Sequence, residues 1–140
     1  MTDQPLRRPS GDPPPSSEEL PDGTTLQLVP LAEEVCRRYR AEHPDEATRY
    51  GPAGVAWCVH DTLYVLDWAV LELTGDADLK DEVDWLGRVL QARDFPIDRL
   101  ARNLDIVAEV VAERVDAWGG QLASVLNDAA GYVRATFLPE

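Results

Sequence analysis

The chain has 140 residues, 44% of them hydrophobic, and its 26 acidic against 13 basic residues give a net charge of −13. That length suits one domain with a real core, whereas the charge opposes nucleic acid and anionic membranes, which are recognised through clustered Lys and Arg. No apolar run reaches the roughly 18 uninterrupted residues of a membrane span, and no apolar stretch of a signal peptide follows the arginines of MTDQPLRRPSGDPPP.

The expectation is therefore a cytoplasmic protein with no nucleic-acid and no membrane partner. Residues 1–23 hold six of the eleven prolines and almost no apolar side chains. Nothing there offsets the entropy of ordering, so a disordered tail, 1–23, is predicted before an α-helical domain, 24–140. A first helix starts near Pro30, with Leu31, Val35 and Tyr39 facing inward and Glu33–Arg37 and Glu34–Arg38 paired on its solvated side. HPDEATRYGP, with two prolines and a glycine, reads as a connection.

The central helix, GVAWCVHDTLYVLDWAVLELT from Gly54 to Thr74, is about 30 Å long. Val55, Val59, Leu66, Val70 and Leu73 share one side, and Trp57, Tyr64, Trp68 and Leu71 cover much of another. A helix apolar nearly all round has to be buried, so its polar members His60, Asp61, Thr62 and Asp67 need partners. Gly75 suits a C-terminal cap, and Asp76 or Asp78 caps a third helix striped by Leu79, Val83, Leu86, Val89 and Leu90. Asp94-Phe95-Pro96 breaks the chain before a fourth helix carrying Ile97, Ala101, Leu104, Ala108, Val111 and Val115. Gly119-Gly120 interrupts the pattern, and a fifth carries Leu122, Val125, Leu126, Ala129, Val133 and Phe137. No segment reads as a strand and no solenoid period recurs. The predicted fold is all-α, five helices in one domain, a helical bundle or globin-like packing around the buried central helix.

The search for chemistry is mostly negative. Cys58 and His60, two apart on a helix, diverge by about 200° and cannot converge on one ion or form a nucleophile–base couple. Glu-x-x-His pairs of di-iron bundles are absent. Cys36 and Cys58 are too few for a disulfide framework and are expected as reduced thiols, with a cross-helix couple of Cys36 and His60 the one remaining thiol arrangement. Gly51, Gly54, Gly119 and Gly120 form no phosphate loop, since no strand precedes them and no Lys follows. Neither His60 nor His43, beside Pro44, has the context of a haem ligand, so no cofactor and no metal are expected. Asp61 is expected to bond Thr62 or an arginine of another helix, Arg102 or Arg114.

Cys58 and Asp61-Thr62, Asp84-Trp85, and the Leu90 to Ile97 turn leading into Leu100 and Leu104 carry a resemblance. From Tyr50 to Val111 the chain resembles a helical module of bacterial regulators found preceding cobalamin-binding domains, and is similar to the globin-like, haem-free sensor domains of stressosome proteins. Val65 stands where that pattern often has a histidine, and no Asp-x-His-x-x-Gly motif of cobalamin binding occurs. The resemblance implies a sensory or regulatory helical module.

The residues lead to a non-enzymatic regulatory domain binding a small apolar ligand or a partner protein, the alternative being a homo-oligomeric interaction module without a ligand. Candidate ligand-binding residues are Trp57, His60, Asp61, Tyr64, Asp67 and Trp68, because aromatic surface with a few oriented polar groups is the composition of a pocket. His60, Tyr64 and Asp67 form a strip expected to be a ligand edge or a subunit contact.

Overall fold

The computed structural model describes residues 13–138. Five helices make up an all-α bundle: α1 (Val29–Glu42), α2 (Asp45–Leu73), α3 (Leu79–Ala92), α4 (Ile97–Arg114) and α5 (Gly119–Phe137). A two-stranded hairpin, β1 (Ser17–Glu19) with β2 (Thr25–Gln27), precedes them.

The hairpin corrects two expectations, the absence of strands and the disordered tail. Residues 1–12 of that tail lie outside the described residues, but Ser17, Glu18 and Glu19 pair antiparallel with Gln27, Leu26 and Thr25. Asp22 accepts the Thr24 N–H at 2.9 Å, and Gly23 takes φ 89°, which a side chain disfavours. Leu20 and Leu28, which follow β1 and β2, are buried in the core. Leu-Pro-Asp-Gly is a turn signal, and the prolines upstream mask it in any composition-based reading.

Helix α4 packs along α5 and α1, and its Leu104, Ile106, Val107, Val110 and Val111 are fully buried. Charged pairs fasten the α1–α4 seam. Arg38 reaches Glu113 at 2.8 Å, Arg102 reaches Glu42 at 2.7 Å, and Glu34 takes both Arg37 and Arg38. Hydrogen bonds from those two guanidinium groups hold the Glu34 carboxyl down to about 2. The expected Glu34–Arg38 pair is present, while Arg37 turns to Glu34 rather than Glu33. Asp78, not Asp76, caps α3 by accepting the Lys80 N–H at 3.0 Å.

The α4–α5 junction is tight at one glycine and open at the next. A Cβ on Gly119 would come within 2.7 Å of the Val111 carbonyl oxygen, whereas one on Gly120 would meet nothing within 4 Å. Gly119→Ala is therefore expected to cost about 1–3 kcal/mol through overpacking. Gly120→Ala, inside the first turn of α5, is expected to stabilise by about 0.5 kcal/mol by restricting the unfolded chain. Urea denaturation of the two variants checks the contrast, and equal effects would contradict it.

Helix α2 differs from the expected central helix at its start. Residues expected as a connection already form helix from Asp45, and the chain breaks at Gly51, with φ 64° and ψ −157°, before continuing from Pro52. That conformation is open essentially to glycine alone. Burial is confined to the second half, Thr62 and Tyr64 to Val70, while Gly54 to Asp61 stay half-exposed or exposed. Among the described residues no helix is long and apolar enough to cross a membrane.

Candidate ligand-binding site

The half-covered stretch of α2 forms one wall of a cavity of about 70 Å³ between α1, α2, α3 and α4. From α2 come Gly54, Trp57, Cys58, Asp61, Thr62 and Val65, one face of a helix at three- and four-residue spacing. Leu86 and Leu90 of α3 and Leu100 of α4 supply apolar walls. Phe95, in the α3–α4 connection, and Tyr50, before the Gly51 break, also line it. The Tyr50 ring lies 6.1 Å from Trp57, edge to face, and 6.4 Å from Phe95, so three aromatic rings adjoin.

Beside the Asn103 amide of α4, the ionisable groups of the wall fall into two sets. In the first, Glu46 accepts hydrogen bonds from the Tyr39 hydroxyl and from Arg99, the latter at 2.8 Å. Arg99 also pairs with Asp45 at 3.0 Å. Every charge in this set has an opposite partner. Burial first, and the Glu46 carboxylate second, push the Tyr39 hydroxyl above its ordinary range, so it stays protonated.

Asp61 is the second set. Among the described residues its hydrogen-bond partner is His60, whose Nδ1 lies 3.3 Å from Oδ1. Desolvation raises its carboxyl above the usual range, and His60 and the more distant Arg93 only partly oppose this. The expected partners Arg102 and Arg114 are engaged elsewhere, with Glu42 and Glu109 and beside Glu34 respectively. Thr62 is buried, with its hydroxyl 3.6 Å from the Cys36 sulfur.

The two cysteines are not reduced thiols. Cys36 of α1 and Cys58 of α2 form a disulfide with their Cα atoms 5.9 Å apart, because α1 and α2 pack side by side with these positions facing. This also removes the Cys36–His60 couple. Among the described residues no three of His, Cys, Asp and Glu converge as a metal site.

Of the six candidate residues, Trp57 and Asp61 line the cavity and the others do not. His60, Tyr64, Asp67 and Trp68 follow the neighbouring edge of α2, roughly a quarter turn away. The His60 ring stands edge-on to Tyr64 at 5.1 Å, and Tyr64 stacks on Trp68 at 5.5 Å. His60 Nε2 is buried with no hydrogen-bond partner among the described residues, and so is Asp67 Oδ1. Asp67 is 8% exposed and meets the Glu18 carboxyl of the hairpin. Burial, then the hydrogen bond and like charge of Glu18, push its carboxyl up to about 8. The strip is thus built of ring packing at its His60 and Tyr64 end and a contact with the hairpin at Asp67.

Sequence reasoning missed Tyr50, Glu46, Phe95 and Arg99. The available signal was Gly51-Pro52, which marks a fold-back rather than a loop and so brings Glu46 and Tyr50 over the helix that follows. Compared with known proteins, the chain matches no family model, no curated protein and no solved structure.

Proposed function

We propose that this protein is a small-molecule-binding regulatory or sensory domain, without catalytic activity of its own, whose ligand occupies the cavity beside α2. The observation that carries this reading is the cavity itself. Apolar side chains from three helices and three aromatic rings surround it, with a single carboxylate lacking an ion-paired arginine, the composition of a site that orients a small ligand. Both cysteines are consumed in a disulfide, which supports binding over nucleophilic chemistry. Disulfides persist in oxidising compartments, so the same bond weighs against the cytoplasmic setting expected from the sequence. A homo-oligomeric contact is the second reading. Among the described residues Val55, on α2, is the large apolar side chain left exposed.

The test is an NMR titration of the isotope-labelled protein with three isosteres, 3,3-dimethylbutan-1-ol, choline and 3,3-dimethylbutanoate. At least one is expected to give saturable shifts at Trp57 and Leu100, abolished by Asn103→Trp, which fills the cavity from α4. Absence of saturable shifts with all three, or their survival in the filled variant, would overturn the reading.

A further inference from the structure

We propose that the ligand of this cavity is a small organic cation, an ammonium whose apolar substituents meet Tyr50, Trp57 and Phe95 while its charge faces Asp61. The inference rests on the binding function proposed above and adds the sign of the charge and the size of the head group.

Charge follows from what is already paired. Arg99 is the cation on the cavity wall, and its guanidinium is occupied by Glu46 at 2.8 Å and Asp45 at 3.0 Å. It has no free pairing to offer an anion. Glu46 is likewise matched, by Arg99 and the Tyr39 hydroxyl. Asp61 remains, a cavity-lining carboxylate with a histidine nitrogen at 3.3 Å and no arginine within ion-pair distance among the described residues. A partly desolvated carboxylate without a full counter-charge is stabilised by an incoming cation, and the same site repels an anion.

The rings agree with that sign. An aromatic face carries negative potential, and several rings around one space form the usual receptor for alkylated ammonium groups. Tyr50 already demonstrates the interaction, since the Arg49 guanidinium sits 5.2 Å from its ring centroid. Tyr50, Trp57 and Phe95 all line the cavity, with the Tyr50 ring adjoining the other two. Size follows from volume. A cavity of about 70 Å³ lies far below the roughly 300–1,000 Å³ of pockets for drug-sized ligands, so it suits a compact head group such as a trimethylammonium.

The isosteric probes separate this inference from the reading beneath it. Choline is expected to bind about tenfold or more tightly than its neutral carbon analogue 3,3-dimethylbutan-1-ol, and 3,3-dimethylbutanoate more weakly than either. Asp61→Asn is expected to bring choline to the level of the alcohol without changing the alcohol. Trp57→Leu, a substitution on the half-exposed part of α2, is expected to weaken choline severalfold more than the alcohol, and it stands as the test if Asp61→Asn does not fold. Equal or tighter binding of the alcohol or the carboxylate overturns the cation inference and leaves the ligand site standing. So does a choline preference that survives Asp61→Asn or, where that variant is unfolded, Trp57→Leu. Failure of all three probes overturns both.

Discussion

Asp67→Asn is expected to raise stability by about 1–3 kcal/mol at pH 8 and to flatten its dependence on pH. In the folded protein the Asp67 carboxyl is pushed up to about 8 from an ordinary value of 3.8, chiefly by burial and then by Glu18. The folded state therefore holds a proton that the unfolded chain releases. Stability from this group is complete below pH 3.8, falls as pH rises through the interval up to about 8, and changes no further above it. Each tenfold difference in proton affinity is worth about 1.4 kcal/mol, which bounds the loss at roughly 6 kcal/mol. Water reaching the hairpin side of the pair reduces that to the smaller figure. Asparagine removes the charge, and its amide donates to the Glu18 carboxylate. Glu34 acts in the opposite direction and in another window. Its contribution is present above its ordinary value of 4.5 and lost as pH falls toward about 2. Urea denaturation of both proteins between pH 4.5 and 8.5 decides the matter, and a flat curve for the native protein or a weakened Asp67→Asn would contradict it.

Reducing the Cys36–Cys58 disulfide is expected to cost about 3 kcal/mol. The bond closes a loop with a sequence separation of 22, and its effect comes mainly from restricting the unfolded chain. For a domain of this length the melting temperature should drop by about 10 °C. The bond also ties α1, which contributes Tyr39 to the cavity, to α2, which contributes Trp57 and Asp61. Thermal unfolding with and without a phosphine reductant, with free thiols counted in parallel, measures the effect. Superimposed transitions in a sample with both thiols free would show that packing alone holds the two helices.

The helices themselves are legible along the chain because each is set by neighbours three and four residues apart. Leu79, Val83, Leu86 and Leu90 make the buried stripe of α3, and Leu122, Leu126, Ala129 and Val133 that of α5, as their spacing predicts. Trp57 and Asp61, singled out by local reasoning as an aromatic and a carboxylate on an apolar helix, both line the cavity. The hairpin was legible in principle from Leu20 and the turn after it, but its worth lies in burial against helices far along the chain.

By itself, then, the sequence determined five helices, the inward stripes of α3, α4 and α5, and an acidic chain with polar groups on an apolar helix. Only the tertiary structure decided that Cys36 meets Cys58, that Glu46 pairs with Arg99 across 53 residues, and that Asp67 meets Glu18 of the hairpin. Those outcomes depend on which helix faces lie opposite one another. Such choices are made by the summed packing of all five helices, and no local period records them.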